Sequence, residues 1–151
     1  MWCDDRVRWD GPDGYWASDD PALIDAAQVH RWISEEAYWA KGRPRATMDA
    51  AIRNSLSIGL YRADGSQAGY ARVVTDYATF GWLCDVFIAA DERGRGLGSF
   101  LVGVTANHPG VSSVRQVLAT APERTMYTQF GYTDLPRSRR WMERPAQPGS
   151  V

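Results

Sequence analysis

Residues 85–99, DVFIAADERGRGLGS, constrain this chain more than any other stretch. An apolar run of strand character feeds a loop with glycine at 94, 96 and 98, and the loop opens a run of helical character. Gly94, Gly96 and Gly98 let a backbone turn tightly and approach a ligand closely. Unpaired N–H groups at a helix start point outward beside the positive end of its dipole. Arg93 and Arg95 add charge. Together these features suit a pyrophosphate. The segment is not a P-loop, because no Lys-Ser/Thr pair follows the glycines. Nor is it a dinucleotide fingerprint, because Leu101 stands where the third glycine would be. Taken alone, such a cluster also fits a plain structural turn.

The flanking sequence supplies the frame. Asp20-Pro21 reads as an N-cap with proline at the first helical position, and Leu23, Ala26, Ala27, His30 and Ile33 follow on one face. His30 on that face reads as a core or boundary histidine. Pro44 opens a second helix with Met48, Ala51, Ile52 and Leu56 as its stripe. The period then changes to two. Leu56, Ile58 and Leu60 mark a half-buried strand, 63–66 (ADGS) a hairpin turn, and Gln67 to Thr75 the returning strand. Thr79 to Ile88 is a longer strand. A helix runs from about Gly96 to Asn107, then a strand from Ser113 to Thr120, a short helix from Pro122 to Gly131, and a last strand from Arg139 to Arg144. The expected fold is mixed α/β. A mostly antiparallel sheet has one parallel crossover and is flanked by helices.

At 151 residues the chain has the size of a single domain, with a core over about 15–144 and loose, turn-rich ends before 15 and after 145. A net charge of −1 points to no nucleic-acid partner, and no apolar run is long enough for a bilayer. Six aspartates in the first twenty residues leave no secretory leader, so a cytoplasmic protein is expected. Cys3 and Cys84 lie in no metal spacing and read as reduced thiols; no metal is expected.

The segment R93-x-x-G96-x-G98 after an apolar strand resembles motif A of the GNAT superfamily of N-acetyltransferases. MYTQFGY, residues 126–132, resembles that family's aliphatic-Tyr-x-x-x-Gly-Phe/Tyr signature. The likeness extends over roughly 15–144, and residues 38–45 and 85–87 look like a stand-alone bacterial branch. The resemblance implies acetyl-CoA as cosubstrate and a primary amine of a small molecule or peptide as acceptor, with direct attack in a ternary complex. It implies that Val86, Phe87 and Ile88 pair with the pantetheine arm, with the Val86 N–H on the thioester oxygen. It also implies that Arg93, Gly94, Arg95, Gly96, Leu97, Gly98 and Ser99 wrap the pyrophosphate, and that Tyr127 is the general acid. Helical spacing agrees for Tyr127, which is turned away from Met126 and Phe130.

The general base is open. Family members carry a glutamate where Trp82 stands, or near Leu118, and neither residue here takes a proton. Asp85, an acid in an apolar strand, is the nearest candidate. It also reads as a structural anchor, and a water chain would serve as well. Residues 122–124 lack the asparagine that many members place on the cofactor arm. By position, Tyr38, Trp39, Tyr77 and Thr79 are candidates for an aromatic acceptor pocket. Glu35 and Glu36 read as a solvated helix face. No covalent intermediate is needed, so Cys84 is not required as a nucleophile. Transfer to oxygen, transfer of a longer acyl chain, or acyl-CoA sensing without turnover are the rival readings. Monomer and homodimer are both left open, and no membrane partner is expected.

Overall fold

The turn at 63–66 closes as its Asp64 and Gly65 demand, with Arg62 N–H bonded to the Ser66 carbonyl at 2.8 Å. It joins the two strands around which the rest is built. The computed structural model describes residues 6–121 and 125–147. Along the chain run β1 (Arg8–Asp10), β2 (Trp16–Ser18), α1 (Ala26–Arg31), α2 (Arg45–Arg53), β3 (Leu56–Tyr61), β4 (Gln67–Thr75), β5 (Phe80–Ile88), α3 (Leu97–Ala106) and β6 (Arg115–Val117). Among the described residues the sheet has six strands in sequence order. All neighbours are antiparallel except β5 and β6. The fold class expected from the sequence is the one observed.

Helices cover both faces of the sheet. On one, Leu97, Leu101 and Val102 of α3 pack against Leu56, Ile58, Leu60 and Val73. On the other, Val29, Trp32, Ile33 and Met48 pack against Tyr70 and Phe87. Each such side chain contributes about 1.5–3 kcal/mol on burial. With both faces covered, β3 is buried along its whole length, so the half-buried strand expected there is corrected. Gly59 is required here: a Cβ would lie 2.2 Å from the Tyr61 hydroxyl.

Several local expectations change. Within the stretch before 15, expected to be loose, Arg8–Asp10 form β1, paired with β2 from Arg8↔Ser18 to Asp10↔Trp16. Asp20 does cap a turn, accepting from Ala22 N–H, but that turn is a 3-10 helix ending at Leu23. Asp25 then caps α1 anew by accepting from Gln28 N–H. Leu56 belongs to β3 and not to the α2 stripe. The strand expected over Ser113–Thr120 narrows to Arg115–Val117. No strand forms over Arg139–Arg144. A 3-10 turn, Ser138–Arg140, brings Trp141 onto the Phe80 ring at 6.3 Å, with Arg115 over the indole at 4.8 Å. Pro122, Glu123 and Arg124 lie outside the described residues, as does Cys3. Among the described residues no helix is long and apolar enough to cross a membrane, and no His, Cys, Asp and Glu cluster could hold a metal.

Candidate active site

The parallel pair β5–β6 is short. It holds from Phe80↔Arg115 to Trp82↔Val117 and no further. Beyond Trp82 the strands part and leave a cleft of about 1000 Å³. One wall is Leu83–Ile88 of β5 with the glycine loop; the other is Leu118–Ala121 with Tyr127. A strand that loses its neighbour leaves backbone donors and acceptors for another extended chain.

Gly94 and Gly96 have φ of 82° and 77°, a region that costs other residues about 1 kcal/mol or more, and a Cβ at either would meet open space. Gly96 caps α3 without any side-chain cap. The first helical bond runs from Phe100 N–H to the Gly96 carbonyl, so Leu97, Gly98 and Ser99 amides stand ahead of it. These features fit a bound diphosphate. The loop before them is pinned: buried Glu92 accepts from the Tyr15 hydroxyl and from Arg62 Nε, the latter at 2.6 Å. Those two hydrogen bonds hold the Glu92 carboxyl below its usual range. Arg93 donates to the Ile88 carbonyl at 3.0 Å and lies over the Phe87 ring.

Val86, Phe87, Ile88, Arg93, Gly94, Gly96, Leu97 and Gly98 all line the cleft. Arg95 and Ser99 do not. Arg95 turns to Glu92 at 3.6 Å, and Ser99 Oγ accepts from Gln129 Nε2 at 3.1 Å.

Tyr127 sits on a 3-10 helix, Met126–Phe130, where an α-helical turn was expected. Its neighbours dock against small residues of α3. A Cβ on Gly98 would lie 3.4 Å from Met126 Sδ, and one on Gly103 would lie 2.9 Å from the Phe130 ring. The Tyr127 ring meets Tyr132 edge-on at 6.0 Å, and Tyr132 donates to Gln116 Oε1 at 2.8 Å. Tyr127 thus lines the cleft opposite β5 from a docked, capped turn.

Asp85 lies in a β-bulge. The β4–β5 register steps from Tyr70↔Phe87 to Arg72↔Cys84, and Asp85 takes φ 50°. Its side chain is 1% exposed. Oδ2 accepts from Arg43 Nη1 and Arg72 Nε, both at 2.6 Å, and Oδ1 accepts from Trp39 Nε1 at 2.9 Å. Burial alone would raise its pKa, but the Arg43 hydrogen bond, the Arg72 charge and hydrogen bond and the Trp39 hydrogen bond hold it below the usual value. A carboxylate whose charged form is so stabilised is a poor proton acceptor. The geometry favours the anchoring role over the base. Half-buried Cys84 beside it is pushed up to about 11 by burial and stays a thiol at neutral pH.

Tyr38 and Trp39 line the cleft; Tyr77 and Thr79 do not. The 76–79 turn precedes β5 and folds on itself, Asp76 accepting from Thr79 Oγ1 at 2.6 Å and from its N–H at 2.8 Å. The Tyr77 ring covers Gly110. Arg43 and Arg72 line the cleft too, without a role assigned from the sequence; Glu36, read there as a solvated helix face, is exposed and also lines the cleft. A π-turn, Trp32–Glu36, at the end of α1 carries Glu36 toward it. Trp82 and Leu118 line the same cleft.

A family model described as "Acetyltransferase (GNAT) domain" matches residues 54–134. A solved Xanthomonas campestris pv. campestris protein described as belonging to the GNAT family is 36% identical, with 90% of this chain and 96% of that one covered and a TM-score of 0.84. A Clostridium acetobutylicum protein, assigned to the acetyltransferases and solved with acetyl-CoA, shares the fold at 15% identity, with 87% and 94% covered and a TM-score of 0.61. A Gibberella zeae protein named for an acetyltransferase activity is 31% identical along an alignment of 109 positions that covers 60% of this chain and 61% of that protein.

Proposed function

Because the chain belongs to the GNAT acetyltransferase family, we propose that it moves an acetyl group from acetyl-CoA to a primary amine of a small molecule or peptide. The observation that carries this reading is the parting of β5 from β6 beside the uncapped start of α3, with Tyr127 across the gap. The Clostridium relative, solved with acetyl-CoA, supports the choice of donor.

When bound, acetyl-CoA supplies an activated acetyl thioester. The amides of Leu97 and Gly98, with Gly94, Gly96 and Arg93, would hold the diphosphate. The free edge of Val86–Ile88 would hold the pantetheine amides. The Val86 N–H would donate to the thioester oxygen, where negative charge grows as the amine attacks. The Tyr127 hydroxyl would donate its proton, or a hydrogen bond, to the departing sulfur. Asp85 would act through others, by fixing Trp39, Arg43 and the bulge that sets Val86. The ammonium proton would leave through water, since Asp85 and Glu92 are both engaged.

The test uses Tyr127→Phe, which keeps the ring and removes one oxygen. Release of free CoA with a panel of amines should show kcat lowered at least about tenfold. Acetyl-CoA Kd should stay within about threefold and Tm nearly unchanged. Wild-type turnover in Tyr127→Phe would remove the acid role. Tight acetyl-CoA binding without CoA release from any amine would make the wild-type protein a sensor.

A further inference from the structure

Resting on the transferase reading, we infer that the acceptor amine also carries an oxyanion, a carboxylate or a phosphate, and that Arg43 and Arg72 receive it. Both residues line the cleft together with Trp39 and Asp85. Both donate to the same oxygen, Asp85 Oδ2, each at 2.6 Å, so the two positive groups are neighbours. One carboxylate balances one of them, and the pair carries one positive charge in excess.

The surplus is largely dehydrated: the Arg43 and Arg72 side chains are 20% and 13% exposed. Their other contacts are uncharged. Arg43 Nη1 also meets Met48 Sδ at 3.5 Å, and Arg72 Nη1 donates to Ser55 Oγ at 3.2 Å. The Nη2 group of each has no protein acceptor among the described residues. The second oxygen of Asp85 accepts from Trp39 Nε1 and from neither arginine.

The other carboxylates along the cleft do not supply the missing charge. Glu92 is committed to Tyr15 and Arg62, and exposed Glu36 makes no ion pair among the described residues. A partly dehydrated cation with spare donors is stabilised by an incoming anion, and a planar guanidinium matches carboxylate or phosphate through paired hydrogen bonds. The same charge disfavours an acceptor that is purely cationic. Trp39 and Tyr38, edge to face at 5.2 Å, form the apolar side of this pocket.

The experiment compares CoA release for matched amines: α-amino carboxylates against their carboxamides, and aminoalkyl phosphates against the phosphate-free amines. In at least one series the anionic member should exceed its neutral partner at least about tenfold in kcat/KM, as expected for charge-assisted hydrogen bonds, and the series that shows the larger preference tells carboxylate from phosphate. Arg43→Gln should abolish the preference with acetyl-CoA Kd unchanged, and Arg43→Lys should restore part of it. Equal or faster turnover of the neutral partners by the wild type would overturn the inference and leave the transferase reading intact. If no amine releases CoA, calorimetry of the same pairs on CoA-loaded protein decides: a preference for the anionic member that Arg43→Gln removes upholds the inference, and no preference overturns it. Failure to bind acetyl-CoA at all would overturn the transferase reading, and the inference with it.

Discussion

Strand β5 has two edges with opposite fates. Toward β4 it is paired from Gly69↔Ile88 to Thr75↔Gly81, broken only by the bulge. Toward β6 it is paired over Phe80–Trp82 and then stands alone. Chain connection explains much of this. The antiparallel neighbour arrives through the short 76–79 turn, which enforces register. The parallel neighbour arrives through α3, and a crossover that long leaves the strands free to diverge. One strand therefore has both a paired framework edge and an open edge, and the two use different backbone groups.

The comparison breaks most visibly at Asp85, the charge buried on the closed edge. Asp85→Ala leaves Arg43 and Arg72 without their counter-charge and should cost about 3 kcal/mol of stability in denaturant unfolding. Wild-type stability in Asp85→Ala would mean that the closed edge does not depend on the carboxylate. Its pKa is depressed in the folded state. Its contribution is therefore present above the ordinary aspartate value of about 4 and is lost as pH falls through the lower folded value. Asp85→Asn should accordingly show a weaker loss of stability than the wild type over that acidic window.

On the open edge the expected effect is on binding. Gly96→Glu sets a negative side chain into the space that a Cβ would enter freely, at φ 77°. Acetyl-CoA Kd should weaken more than about tenfold, with the fold retained. Gly96→Ala carries the same backbone strain, about 1 kcal/mol or more, without the charge and separates the two causes. Titration calorimetry reads both; unchanged affinity in Gly96→Glu would take the diphosphate away from this loop.

The smallest effect sharpens what the closed side means. Among the described residues, Tyr61 Oη is a buried polar atom without a partner, in a ring stacked on Trp16 at 4.5 Å. Removing an unsatisfied hydroxyl relieves a desolvation cost. Tyr61→Phe should raise stability by about 1 kcal/mol in the same unfolding assay, and a loss of that size would reveal a partner for the hydroxyl.

Local signals in the sequence reach far for elements whose causes are local. The β4 bounds, Gln67–Thr75, follow from period two and the 63–66 turn, and α3 follows from glycine at its start and a proline-glycine break after it. The short strands β1 and β2 are invisible to such reasoning, because three residues acquire strand geometry only by pairing with one another and with β3. The same holds at the site. The glycine loop is a contiguous signal. The Asp85 cluster gathers Trp39, Arg43 and Arg72 from separate elements, and no spacing announces it. A lone acid in an apolar strand did mark the spot, yet its partners decide between base and anchor. Tyr77 and Thr79 were near the site in the chain only, because Asp76 folds their turn back on itself.

The residues around the Asp85 cluster fall on both sides of the boundary of the family-model match. The segment shared with the family model, 54–134, holds β5, the glycine loop, α3 and Tyr127. Glu36, Tyr38, Trp39 and Arg43 all precede it, and Asp85 is the shared residue to which Trp39 and Arg43 are tied. Substitutions at 36–43 can therefore change that side of the cleft while β5, the glycine loop and Tyr127 stay as they are, provided each version still answers one buried carboxylate. A variant that keeps the acid at the bulge is free to change the residues around it, but not free to leave that acid without a cation.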